Sequence, residues 1–199
     1  MFSLEALGLL LAFSARYAES EVVLDDALVL ATNLGARRFQ AIIATGLSEA
    51  LFARGRTDEA RQRNEQALAY GRESGNRFFG PVILSFEARM QDDPTERERC
   101  RAEAEALLAD GGIGHSPIAY HRIGIEDALA RGEWERMRAH VAALEACTRD
   151  EPLPYTDLLI ARGRVLATLG ESPGDAAARA ELVRLKDEFA RLSWPIGWP

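Results

Sequence analysis

Chain breaks recur in this sequence at a nearly constant interval, and that recurrence limits the fold more than any other feature. Gly55 closes an apolar-periodic segment and opens Gly55-Arg56-Thr57-Asp58-Glu59-Ala60; Gly132 and Gly170 do the same, while Asp93 and Tyr17 mark two further breaks. Positions 17, 55, 93, 132 and 170 are 38, 38, 39 and 38 residues apart. A second series, Gly35, Gly75, Gly111 and Asp150, falls about midway between them. Each interval therefore holds two helices of about 16 residues, roughly 24 Å each at the helical rise.

The chemistry of the breaks agrees with helix ends. Glycine supplies the left-handed position that closes a helix. Ser20, Thr57, Asp93, Ser116 and Ser172 stand where a side-chain oxygen can accept from the first amides of the next helix. Pro94, Pro117 and Pro173 fit first-turn positions, where no helical hydrogen bond is lost. The spacing predicts ten helices, near 3–16, 19–34, 37–54, 57–74, 78–91, 94–110, 117–131, 133–149, 154–169 and 173–192. The connections Gly111–His115 and Glu151–Pro154 are too short for a domain linker, so residues 1–199 read as one continuous helical array.

Composition narrows the function classes. Hydrophobic residues make up 47% of the 199 and charged residues 28%, enough for a packed core and inconsistent with disorder. The net charge is −7, Lys186 is the only lysine, and the arginines alternate with acids, as in Glu96-Arg97-Glu98-Arg99. Nucleic-acid and anionic-membrane surfaces need clustered basic charge, so neither is an expected partner. The apolar run Leu9–Phe13 lacks a basic leader and is too short to span a bilayer. A cytoplasmic protein with Cys100 and Cys147 reduced is the expectation.

Catalytic and metal signatures are missing. His115, His121 and His140 have no i, i+4 spacing and no cysteine cluster beside them. There is no phosphate-cradling Gly-rich loop and no nucleophile elbow, and neither cysteine stands in an activating motif. The expectation is therefore no cofactor, no metal and no enzyme activity. An enzyme using paired carboxylates such as Glu87 and Glu126 is the weakest of three readings, because carboxylates on separate repeats would stand too far apart.

The second repeat resembles the tetratricopeptide pattern. With Gly55 as the turn glycine, Leu47, Ser48, Leu51, Glu59-Ala60 and Ala67-Leu68 fall at its positions; Asn64 departs where a large aromatic is usual, and Met137 replaces a small alanine in a later repeat. The resemblance implies an all-α, right-handed superhelical stack of about five antiparallel helix pairs. Over residues 30 to 170, the segments Gly75-Asn76-Arg77-Phe78-Phe79-Gly80-Pro81, Gly114-His115-Ser116, Tyr120-His121-Arg122 and Glu151-Pro152-Leu153-Pro154-Tyr155-Thr156-Asp157 resemble the C-terminal repeat region of bacterial multidomain cyclase–ATPase proteins and related transcriptional regulators. That likeness implies a regulatory or scaffolding role in signalling. No cyclase or ATPase activity follows, because the residues that carry those chemistries are missing.

In right-handed helix-pair arrays the first helix of each pair lines the concave face, which holds the ligand. The residue six before each turn points there: Glu49, Glu87, Glu126 and Arg164. The glutamates would form an acidic stripe that attracts a basic protein or peptide segment; the plain alternative is a solvated helix face. Charge reversal at Glu87 and Glu126 is then expected to weaken binding and leave stability nearly unchanged. Tyr120, His121, Arg122 and Asp127 form the most chemically mixed stretch, a candidate contact for a ligand end, with an Arg122–Glu126 ion pair as its plain explanation. A helical small-ligand sensor controlling an output domain is the alternative function. Exposed end helices leave room for a homodimer, and Trp194 in the Trp- and Pro-rich tail reads as a cap on the last repeat.

Overall fold

A computed structural model describes residues 2–75, 78–111 and 115–192. The described residues form ten helices and no strand: α1 (Phe2–Phe13), α2 (Tyr17–Asn33), α3 (Arg37–Ala53), α4 (Thr57–Glu73), α5 (Gly80–Met90), α6 (Pro94–Ala109), α7 (Ser116–Arg131), α8 (Trp134–Thr148), α9 (Pro154–Glu171) and α10 (Ala176–Arg191). Each helix packs on its neighbours in sequence within two compact units, Met1–Gly114 and His115–Pro199. The division falls at the glycine-rich connection that the sequence reading carried through as part of one array. The expected capping role of Trp194 lies outside the described residues.

In the first unit, burial separates α3 and α5 from the other helices. Every residue of α3 from Gln40 to Ser48 is buried, as is nearly all of α5. A helix apolar all round needs neighbours on several sides, and α3 touches α1, α2, α4 and α5. By contrast α4 buries a single stripe, Ala60, Asn64, Ala67 and Gly71, at the i, i+4, i+7, i+11 spacing of one helix face. Leu24, Ala27 and Ala31 of α2 pack with Ile43 and Leu47 of α3, and Ala41 and Ala44 of α3 with Ala67 and Ile83. The small residues let helix axes approach. In the second unit, Met137, Val141 and Leu144 of α8 meet Ile125 of α7 and Leu159, Ile160 and Leu166 of α9.

Gly55 and Gly132 do what their spacing predicts. Gly55 has φ +76° and Gly132 φ +68°. Behind Gly55, the amide of Arg56 donates to Leu51 (3.0 Å) and that of Gly55 to Phe52 (2.9 Å), the paired bonds that close a helix on a left-handed residue. The same pair closes α1, from Arg16 to Leu11 and from Ala15 to Ala12, but with an alanine at φ +52°. An L-residue with a Cβ is strained there by about 1 kcal/mol relative to glycine.

Several expected end signals are corrected. The first break is Ala15, since Tyr17 already opens α2. Gly170 lies inside α9, because the Trp134 ring rests where its side chain would be: a Cβ there would stand 2.2 Å from the ring. Among the expected caps only Asp93 accepts from its helix, at the Thr95 amide. Thr57 and Ser116 are the first residues of α4 and α7, and Ser172 follows α9. Ser20 sits within α2 and donates instead to the Gly8 carbonyl of α1 (2.8 Å). The cap of α10 is Asp175, accepting from Ala178, so Pro173 precedes that helix rather than standing in its first turn.

Candidate functional site

The six residues singled out from the sequence fall two in the first unit and four in the second. Glu49 is half-buried on α3. Glu87 is half-buried on α5, and its carboxylate accepts from Asn64 Nδ2 of α4 (2.8 Å) and from Gln91 Nε2 (2.6 Å). Asn64 is fully buried and also donates to the Ile83 carbonyl (3.3 Å). The residue that departs from the tetratricopeptide pattern is therefore the clasp that orients Glu87. Its Oδ1 is buried and has no hydrogen-bond partner.

In the second unit, Tyr120, His121, Arg122 and Glu126 share α7 and have different surroundings. Tyr120 is buried and meets the His121 ring edge-on at 5.1 Å and the His140 ring at 5.5 Å. His140 comes from α8 and was not part of the expected site. The His121 and His140 ring centroids are 5.5 Å apart and their Nδ1 atoms 3.1 Å apart. The difference is about two ring radii, so the nitrogens face each other along the line joining the rings. One imidazole donates and the other accepts, which fixes opposite tautomers. The accepting lone pair is thus occupied by the neighbour's N–H and does not converge with it on a third point, as two metal ligands would. Among the described residues no group of three or more His, Cys, Asp or Glu side chains could hold a metal ion. Burial pushes the His121 imidazole down to about 4.

Gly124 makes the histidine pair fit. A Cβ on Gly124 would lie 2.4–2.6 Å from three atoms of the His140 ring. Gly124→Ala should therefore destabilise the protein although alanine is the better helix former. The propensity gain is about 1 kcal/mol; overpacking against a rigid, nearly buried ring costs about 1–3 kcal/mol. A net loss of up to about 2 kcal/mol is expected in urea denaturation, and a gain in stability would show that the ring moves aside freely.

Glu126 is not a solvated stripe residue. Its carboxylate meets Arg162 of α9 at 2.7 Å (Nη1) and 3.4 Å (Nη2), and Arg162 is 0% exposed. Arg122 is half-buried, while Asp127 is buried and pairs with Arg131 at 2.9 Å. Arg164, the fourth position of the expected stripe, is exposed and pairs with Glu145. Reversal of Glu87 or Glu126 is therefore expected to cost stability rather than leave it unchanged. Reversing Glu87 would break the Asn64 clasp, and reversing Glu126 would set a cation against a buried guanidinium.

Each unit also carries a cleft with charged walls. In the first, about 290 Å³ lies over Leu47 and Leu51 between Glu21, Asp25, Arg56, Glu59 and Arg63. Arg56 bridges Glu21 (2.7 Å) and Glu59 (2.5 Å), and Arg63 pairs with Asp25 (3.2 Å). In the second, about 320 Å³ is lined by Glu145, Arg149, Pro152, Asp157, Ile160 and Arg164. Burial raises both thiols, Cys100 and Cys147, which favours the unreactive protonated form. No helix among the described residues is long and apolar enough to cross a membrane.

No protein-family model, no curated protein and no solved structure matches this chain.

Proposed function

We propose that this chain is a non-catalytic, cytoplasmic module that binds a basic protein or peptide segment, built as a right-handed, tetratricopeptide-like stack of helix pairs. The observation that carries the reading is the Glu87 carboxylate, held from behind by Asn64 and Gln91 yet half-exposed on α5, with half-buried Glu49 on the contacting helix α3. A carboxylate accepts at about four lone-pair positions, so two fixed donors leave room for a cationic group. Fixing it beforehand removes the entropy of ordering it on binding. The net charge of −7 steers the same class of ligand. A regulatory place in bacterial signalling follows from the resemblance of its repeat segments.

A small-ligand sensor is the second reading. It rests on the Tyr120–His121–His140 cluster and on the buried Ser116 Oγ, which lacks a hydrogen-bond partner one turn before Tyr120. Fluorescence-anisotropy titrations with equal-length basic, neutral and acidic peptides separate the two. The basic set should bind best and weaken as salt rises. Glu87→Gln and Glu49→Gln should each weaken it by about tenfold while the fold persists by circular dichroism. Equal affinity for all three charge classes, or unchanged affinity in Glu87→Gln, would refute the acidic site.

A further inference from the structure

The hairpin of α8 and α9 carries a cleft whose charged walls are only half paired. The helices run antiparallel through a short connection, and the cleft of about 320 Å³ lies between the last turns of α8 and the first half of α9. Glu145 and Arg164 close one end of it across 2.5 Å. One turn beyond Glu145, Arg149 ends α8; two turns before Arg164, Asp157 stands in the first turn of α9. Among the described residues, neither the Arg149 guanidinium nor the Asp157 carboxylate has a hydrogen bond or an ion pair, although both line the same cleft. The cleft of the first unit differs: there Arg56 and Arg63 are taken up by Glu21, Glu59 and Asp25.

The connection explains why the second pair stays open. Pro152 and Pro154 fix their own φ, and Leu153 between them takes the extended backbone (φ −116°, ψ 121°) that a residue before proline requires. So stiff a connection keeps the ends of α8 and α9 from adjusting to bring Arg149 and Asp157 together. The surface between the two charges is apolar, built from Ile160, which is 6% exposed, with Pro152 and Ala161. Thr148 adds no open donor, since its hydroxyl donates to the Leu144 carbonyl (3.0 Å).

We propose that this cleft binds a free α-amino acid with an apolar side chain. Its carboxylate meets Arg149, its ammonium meets Asp157, and its side chain lies over Ile160 and Pro152. A guanidinium takes a carboxylate through two parallel N–H groups. The charges of Glu145, Arg149, Asp157 and Arg164 cancel, so a zwitterion matches the walls where a purely acidic or basic ligand would leave one wall uncompensated. The volume stands at the lower end of ligand pockets, about 300–1,000 Å³, which suits one amino acid rather than a peptide segment. The site is independent of the Glu87 carboxylate, which belongs to the other unit.

An amide chemical-shift titration of the full chain with L-alanine, L-valine, L-leucine, L-methionine and L-phenylalanine, each at millimolar concentration, tests this. At least one should bind, with the shifts concentrated in residues 145–164. The carboxamide of that amino acid keeps only the ammonium, and the deaminated acid keeps only the carboxylate. Each should bind roughly tenfold more weakly or worse. Arg149→Gln and Asp157→Asn should cost the amino acid a similar factor. The fold should persist by circular dichroism in both, because both side chains are exposed and unpaired. Arg149→Gln should leave the weak affinity for the carboxamide unchanged, since that analogue has no carboxylate for Arg149 to meet. No binding by any member of the series, shifts centred elsewhere, or a single-charge analogue that binds as tightly as the zwitterion overturns the proposal.

Discussion

Replacing Glu126 with alanine should cost the protein about 3–4 kcal/mol, far more than a surface glutamate is worth. Its partner Arg162 is 0% exposed, and the two meet through two guanidinium nitrogens. Breaking one side of a buried ion pair costs about 3–5 kcal/mol, whereas exposed pairs contribute about 0–1. Glu126 keeps some exposure, which places the expected loss toward the lower end. The double variant Glu126→Leu/Arg162→Met should recover most of it, because apolar groups of similar volume replace buried ion pairs at little cost. Urea denaturation of the two single variants and the double variant checks the coupling. A loss under about 1 kcal/mol in Glu126→Ala would place the pair in solvent after all.

Stability should also fall steeply between pH 6.5 and about 4, and His121 is the cause. Its folded value is pushed down to about 4 by burial, while an unfolded histidine titrates near 6.5. The unfolded chain therefore takes up the proton first. The contribution of His121 is whole above pH 6.5 and is lost as pH drops toward 4, amounting to about 3 kcal/mol. The contact with His140 adds a geometric reason. The pair accommodates one Nδ1 proton, and a second would set N–H against N–H across 3.1 Å. Thermal melts at intervals through this window should show the decline in the wild type and a much flatter curve in His121→Phe. Equal curves would assign the acid sensitivity elsewhere.

What was legible in the sequence was whatever depends on neighbours along the chain. Gly55 and Gly132 announce helix ends because the left-handed turn residue is a local requirement. Gly170 follows the same spacing and misleads, because its reason for being glycine is Trp134, 36 residues earlier. Ser20 looks like a cap by residue type, yet its hydroxyl serves the Gly8 carbonyl on the facing helix. The site was harder still. His121 and His140 are 19 residues apart on different helices, and no one-helix spacing rule can pair them. Arg162 is likewise invisible beside Glu126 until α7 and α9 are set together. Asn64 could be flagged as a departure from the tetratricopeptide pattern, which was the one available clue to the Glu87 clasp.

The alanine at the first turn has a consequence for the order in which the molecule opens. Ala15 closes α1 on α2 with the bonds that glycine makes elsewhere, but from a strained backbone. The strain weakens the closure of α1 on α2 relative to a pair closed by glycine, so replacing Ala15 with glycine should slow the lifting of α1, which bares Leu24.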